Sequence, residues 1–103
     1  MADEAYLGTE LKYAVDMVAS GFSMADDDFE VKLVRGSKSI TITKDRMIVD
    51  GQGQYYICFD SADLGPGLVT AVVVAHVPDL DFPDGFRNEI QMVDLVNIKN
   101  VKK

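Results

Sequence analysis

Three consecutive segments decide the fold of this chain: Gln54-Tyr-Tyr-Ile-Cys-Phe-Asp60, the turn Ser61-Ala-Asp-Leu-Gly-Pro-Gly67, and Leu68-Val-Thr-Ala-Val-Val-Val-Ala-His-Val77. The first and third are short runs rich in β-branched and aromatic residues, and the segment between them contains Gly and Pro. Runs of this length and composition are typical of strands in an antiparallel sheet. The pattern therefore favours an all-β domain.

The segments on either side extend the same pattern. Phe29–Arg35 alternates apolar and polar side chains, as a strand with one buried face does. Further strands are predicted at Ser39–Thr43, at Met47–Val49 before the glycine-containing loop Asp50–Gly53, and at residues 89–98. We expect one domain over residues 1–103, folded as an immunoglobulin-like antiparallel β-sandwich of about seven strands.

Residues 11–19 fit two templates. Leu11, Tyr13, Val15 and Met17 alternate as in a strand, whereas Leu11, Val15 and Val18 also fall on one face of a helix. Strict alternation over the whole segment favours the strand, and the helix remains the alternative.

Charge and hydropathy narrow the range of partners. The chain carries 17 acidic and 10 basic residues, for a formal net charge of −7. This charge disfavours contact with phosphate backbones and anionic lipids, so neither nucleic acid nor a membrane is expected as a partner. The segment Met1–Leu7 has neither the basic nor the apolar region of a secretory signal peptide. We expect a protein without a signal peptide, cytoplasmic or associated with a virion.

Cysteine and histidine, the side chains that most often act as nucleophiles, bases or metal ligands, each occur once in this chain. Cys58 is the only cysteine, so it cannot form a disulfide within the chain, and its apolar strand suggests a small core residue. His76 is the only histidine, which leaves no second histidine for a zinc site and no evident partner for a catalytic nucleophile. We expect a hydrogen-bonded, partly buried His76. The chain is therefore predicted to be no enzyme and to need no cofactor.

The best candidate for a functional surface is apolar. Residues 68–77 are apolar on both faces, and a two-layer sandwich covers only one face of each sheet. The second face and the last predicted strand supply six interface candidates: Thr70, Val72, Val74, His76, Met92 and Val96. This pattern predicts burial against protein partners, through self-association or assembly into a larger particle.

Two acidic segments are candidates for a cation site. Asp79, Asp81, Asp84 and Glu89 bring together the carboxylate oxygens that Ca²⁺ binds, but their spacing differs from that of an EF-hand loop. An ordinary acidic turn is the favoured interpretation, and no metal is assigned. Asp26–Asp28 is interpreted as a solvated loop. If the two acidic segments approach each other, a shared cation site becomes more plausible.

A ligand-binding module is the alternative function, for carbohydrate or calcium. Exposed aromatic rings bind sugars, and Tyr55, Tyr56, Phe82 and Phe86 lie near aspartates in the sequence. Tyr55 and Tyr56 point to opposite faces of one strand, so at most one of them can line a shallow site.

Several segments carry a resemblance to a known family: Leu7-Gly-Thr-Glu-Leu-Lys-Tyr13, Gly21-Phe-Ser-Met24, Tyr56-Ile-Cys-Phe-Asp60, Leu64-Gly-Pro-Gly67 and Pro78-Asp-Leu-Asp-Phe-Pro-Asp-Gly-Phe-Arg-Asn-Glu89. The chain resembles small uncharacterised acidic β-sandwich proteins of gut bacteria and their prophages. More loosely, it is similar to the N-terminal β-sandwich domains of phage baseplate and fibre proteins. This resemblance implies a structural, non-enzymatic role in a multi-subunit, phage-related particle.

Overall fold

The computed structural model describes residues 3–101 and shows an all-β protein. The eight strands are β1 (Asp3–Tyr6), β2 (Glu10–Val15), β3 (Phe29–Arg35), β4 (Lys38–Thr43), β5 (Ile48–Val49), β6 (Tyr55–Asp60), β7 (Gly67–Pro78) and β8 (Phe86–Lys99). Two 3-10 helices of three residues, Lys44–Arg46 and Ser61–Asp63, follow β4 and β6. Four residues of the predicted domain, 1, 2, 102 and 103, lie outside the described part of the chain.

The strands form two sheets in an immunoglobulin-like order. One sheet has the order β1-β8-β7-β3-β4 and the other β2-β6-β5. In the immunoglobulin fold strands C, F and G form one sheet and strands B, E and D belong to the other. Strands β3, β7 and β8 correspond to C, F and G, and β2, β6 and β5 correspond to B, E and D. The predicted β-sandwich is therefore confirmed. It has eight strands rather than about seven, and one pair is parallel, since β1 lies parallel to β8 at the edge of the larger sheet.

Alternation along the strands builds the core between the sheets. Phe29, Val31 and Leu33 of β3 are buried as their spacing predicts, and Ile57 and Phe59 of β6 face them from the smaller sheet. The inward side of β7 contributes five more buried residues: Val69, Ala71, Val73, Ala75 and Val77. These side chains belong to one continuous apolar cluster that both sheets share.

The hydrogen bonds of a buried serine hold the first strand against the rest of the domain. Ser61 is fully buried, and its Oγ accepts a hydrogen bond from the Gly8 backbone N–H at 2.9 Å and donates one to the Tyr6 carbonyl at 3.4 Å. The backbone N–H of Ser61 donates to the Thr9 carbonyl at 3.1 Å. The turn after β1 is therefore held by the 3-10 helix that follows β6.

Two sequence predictions need correction at the level of single residues. The strand interpretation of residues 11–19 is right, but β2 spans Glu10–Val15 and the chain leaves the sheet at Asp16. Cys58 was expected in the core, yet it is exposed, because β6 turns Ile57 and Phe59 inward and the residue between them outward. Strand β1 was not predicted, since its short acidic sequence has no apolar face.

A β-bulge near the end of β8 reverses which residues face the core. Val69 of β7 pairs with Val96, whereas Thr70 pairs with Asp94, so Leu95 is an extra residue on β8. Before the bulge the even-numbered residues of β8 point outward, and after it they point inward. Val96 and Ile98 consequently join the core, with 0% and 2% of their surface exposed.

Candidate interaction surface

The outward face of the larger sheet carries an apolar patch at its centre. Two cross-strand pairs form it, Val72 with Met92 and Val74 with Ile90. Val72 and Val74 are half-buried by their neighbours, whereas Ile90 is 58% and Met92 68% exposed. We call these four residues the outer patch. Their side chains cover a strand surface that faces away from the second sheet, so water contacts them in the isolated chain.

Polar pairs border the outer patch along the strands. On one side the Thr70 hydroxyl donates to Asp94 Oδ1 at 3.1 Å, and on the other His76 Nδ1 lies 2.9 Å from Asn88 Oδ1. The hydrogen bond of His76 confirms the sequence interpretation of that residue. The patch thus has an apolar centre and a hydrogen-bonded rim, as protein contact surfaces do.

Two charged side chains of the neighbouring strand β3 border the outer patch. Lys32 is the cross-strand partner of Val72, and Glu30 is the partner of Val74. The two opposite charges lie on the side of the patch away from β8, with Thr41 beyond Lys32 on β4. The β8 side of the patch ends at the edge of the sheet.

The structure brings together five of the six predicted interface candidates. Thr70, Val72, Val74, His76 and Met92 all lie on this outward face. Val96 does not. Unbroken alternation would place Val96 on the face of Met92, but the bulge at Leu95 turns Val96 into the core.

Sequence reasoning missed Ile90 as an interface residue. It lies on the outward face next to Met92 and is the cross-strand partner of Val74. The signal was present, because Ile90 and Met92 are two residues apart in one strand and share a face.

The predicted calcium candidates lie in or beside the seven-residue loop between β7 and β8, and Arg87 engages two of them. Arg87 Nη1 lies 2.9 Å from Asp79 Oδ2, and Arg87 Nε lies 3.3 Å from Glu89 Oε1. Arg87 Nη2 also donates to the Ser20 carbonyl at 2.9 Å. These contacts fix the base of the hairpin loop to the segment that follows β2.

The other two calcium candidates have ordinary turn surroundings. Asp84 Oδ1 accepts a hydrogen bond from the Phe86 backbone N–H at 3.2 Å, and Asp81 donates its backbone N–H to Asp79 Oδ1 at 3.0 Å. Among residues 3–101, no three His, Cys, Asp or Glu side chains are grouped closely enough to hold a metal ion. Three of the four candidate carboxylates, those of Asp79, Asp84 and Glu89, thus have partners within the hairpin.

The two acidic segments do approach each other. Asp28 and Asp84 line the same open depression, of about 410 Å³, together with His76, Phe86 and Asn88. The depression adjoins the His76 end of the outer patch. It contains one aromatic ring and several hydrogen-bonding groups, which is the mixture of contacts found in small-molecule sites.

The tyrosines proposed for a sugar platform lie on the smaller sheet, whereas the two phenylalanines lie at the β7–β8 hairpin of the larger sheet. Tyr55 lies on the inner side of β6 and packs edge-on against Phe29, with ring centroids 5.2 Å apart. Tyr56 points the other way, and Lys12 Nζ lies 4.6 Å from its ring centroid. Phe82 and Phe86 belong to the hairpin loop of the larger sheet. The four rings therefore do not form one surface.

Two titratable groups with shifted pKa values, Asp50 and Tyr56, lie at the loop between β5 and β6. Backbone N–H groups of Gln54 and Gln52 donate to Asp50, and these hydrogen bonds hold the pKa of its carboxyl below the usual value. Partial desolvation, then the hydrogen bond to Asp50 at 3.2 Å, raises the pKa of Tyr56. Both effects follow from the closure of the loop between β5 and β6.

Comparison with known proteins finds no matching family model, no matching curated protein and no matching solved structure. In the part of the chain that the structure describes, no helix has the length and apolar character needed to cross a membrane.

Proposed function

We propose that this protein is a non-enzymatic interaction module that self-associates and assembles through the outward face of its larger sheet. The observation that carries the proposal is the outer patch, in which Ile90 and Met92 are more than half exposed on a strand face. Apolar side chains grouped in this way lose contact with water when a protein partner covers them, which favours association.

The surroundings of the patch support the proposal. A fully polar rim of Thr70, Asp94, His76 and Asn88 gives a partner defined hydrogen-bonding positions around the apolar centre. The adjacent charges of Lys32 and Glu30 add specificity, because a partner must match both signs. A phage-particle setting is proposed on the sequence resemblance alone.

The proposal is tested by light scattering over a concentration series. The wild-type protein is expected to exceed the monomer mass as its concentration rises. The variant Met92→Glu places a carboxylate in the outer patch and should raise the dissociation constant about tenfold or more, because the charge would have to be desolvated. Met92 is largely exposed, so the fold should be unaffected.

The matched control is Ser39→Glu. Exposed Ser39 lies on the same face, opposite Val34 on β3 and not opposite Lys32 or Glu30. The control adds the same charge to the same face but outside the patch, and association should stay unchanged. Equal weakening by both variants would point to general charge repulsion and would contradict the role of the patch.

The open depression favours a second candidate function, the binding of a neutral carbohydrate. The Phe86 ring, with Asp28, Asp84 and Asn88 around it, offers a stacking surface beside hydrogen-bonding groups. Amide chemical shifts of the depression should move on addition of cellohexaose or maltohexaose. Phe86→Ala should abolish that change and Phe82→Ala should preserve it, whereas no shift with either sugar would discard this function for these probes.

A further inference from the structure

The edge of β8 is open along more than half of its length. Strand β7 pairs with β8 from Phe86 to Ile98, but on the other side β1 pairs only with Val96–Lys99. Among residues 3–101, no strand lies beside residues 86–94 on that side. Backbone groups of a strand that lack a neighbour are a template for another strand.

The direction of the open groups follows from the pairing of β7. The His76 backbone N–H donates to the Asp28 carbonyl at 2.9 Å, on the β3 side, so even-numbered β7 residues turn toward β3 and odd-numbered ones toward β8. Ala71, Val73 and Ala75 pair with Val93, Gln91 and Glu89. The backbone groups of the intervening β8 residues therefore point out of the sheet edge: Asn88, Ile90, Met92 and Asp94.

We propose that two copies of this chain pair antiparallel along this edge, β8 against β8, with Gln91 opposite Gln91 of the second copy. The inference rests on the self-association proposed above and specifies its geometry. It would join two five-stranded sheets into one continuous sheet. The two outer patches would then become one apolar surface centred on the twofold axis.

Side-chain chemistry selects this register. A twofold axis perpendicular to the sheet keeps outward residues opposite outward residues, so only registers centred on a single residue are possible. Centring on Gln91 places Ile90 opposite Met92 twice, and Asn88 opposite Asp94. Centring on Met92 would place Ile90 against Asp94, and centring on Glu89 would oppose two carboxylates. Centring on Ile90 would place each Met92 opposite Asn88, so the Gln91 register alone gives both Ile90 and Met92 an apolar partner.

Charge also permits a second copy at this edge. The chain has a net charge of −7, but Ile90–Val93 carries no charge, and the guanidinium of Arg87 neutralises Glu89 locally. In the proposed register the two Asp94 side chains are six residues apart along the paired strands, about 20 Å. This separation exceeds the screening length of about 8 Å at physiological ionic strength, so the two carboxylates scarcely repel each other.

The geometry is tested by disulfide trapping in a Cys58→Ser background, which removes the exposed natural thiol. Gln91 faces its own copy in a pair without mutual hydrogen bonds, where Cα atoms lie about 4.5 Å apart, within disulfide range. Gln91→Cys should therefore form a covalent dimer under oxidised glutathione. Glu89→Cys and Val93→Cys should each form about tenfold less, because their own copies lie about 14 Å away.

Mixing provides an internal control. Residue 89 of one copy faces residue 93 of the other, so an equimolar mixture of Glu89→Cys and Val93→Cys should give covalent dimer that neither variant gives alone. Cross-linking of Val93→Cys alone would overturn the Gln91 register. A third, mutation-free measurement is amide hydrogen exchange, which should slow at Ile90 and Met92 as the protein concentration rises.

The outcomes separate this inference from the proposed function. A wild-type oligomer by light scattering that yields no Gln91→Cys dimer, and no slowed exchange at Ile90, overturns edge pairing and leaves self-association standing. A wild-type monomer at every concentration, without trapping, overturns both. Capture of the edge by a strand of another protein would appear as slowed exchange only when that protein is added, and would overturn the choice of a second copy.

Discussion

Strand β8 has two parts with similar apolar content but different surroundings. We call residues 86–94, which have a neighbouring strand on one side only, the open half, and residues 96–99, which lie between β7 and β1, the closed half. Val96 and Ile98, after the bulge, lie between β7 and β1 and are buried against the second sheet. Ile90 and Met92, before the bulge, have a neighbouring strand on one side only and face outward. An apolar strand residue is therefore placed by its neighbouring strands and by its position in the alternation, and not by its hydrophobicity.

The strongest test of this comparison removes the same atoms from each half. Ile98→Ala should lower the free energy of unfolding by about 2–4 kcal/mol, because it leaves a cavity in the closed half. Ile90→Ala removes the same atoms from the open half and should cost under about 1 kcal/mol in the monomer. Urea denaturation of dilute protein measures both, and equal losses would refute the distinction between the halves.

A smaller loss of stability is expected at Ser61, whose hydrogen bonds hold the turn after β1 in place. Ser61→Ala removes the hydroxyl that accepts from the Gly8 N–H and donates to the Tyr6 carbonyl. Because these hydrogen bonds are part-buried and Gly8 is exposed, the loss should be about 0.5–1.5 kcal/mol. Hydrogen exchange should quicken in β1 and in Val96–Lys99 before it quickens elsewhere. Ser61→Cys replaces the hydroxyl by a larger thiol that forms weaker hydrogen bonds, so exchange in β1 should quicken in this variant too. Unchanged exchange at β1 would show that this serine does not secure the strand.

The smallest effect concerns the ion pair across β1 and β8. Lys99 Nζ lies 2.8 Å from Glu4 Oε2, and that hydrogen bond and charge raise the pKa of the lysine. A raised pKa in the folded state means that the contribution is complete below the unfolded value of about 10.4 and is lost as the pH rises through the folded pKa. Glu4→Gln should lower the Lys99 pKa, measured by NMR titration, with no resolvable change in unfolding.

Much of the fold was predictable because most strands keep a strict alternation. Phe29, Val31 and Leu33 face the core as their spacing predicts, and Gly53 adopts the positive φ of 83° that the loop before β6 requires. Strand β1 was not predictable, since its acidic sequence is ordered by pairing with residues more than ninety positions away. Cys58 was misplaced because its neighbours are apolar, although its parity in β6 faces solvent.

The candidate surface was predictable up to the point where alternation breaks. Thr70, Val72, Val74 and His76 share a face because β7 is regular across them, and Met92 joins them through cross-strand pairing. The prediction of Val96 as an interface residue was wrong because the single inserted residue Leu95 produces no signal in composition or hydropathy. A bulge depends on how two strands pair, and that information lies outside the strand that contains it.

The bulge at Leu95 also makes the surface of this protein sensitive to a single codon. With the closed half of β8 fixed by its neighbours, an in-frame deletion of Leu95 would shift residues 86–94 by one position and reverse their faces. Ile90 and Met92 would turn inward, and Arg87, Glu89 and Gln91 would take their places outside. One short deletion would thus replace the apolar outer patch with polar and charged side chains while most of the chain stays unaltered, and under the function proposed above it should abolish self-association.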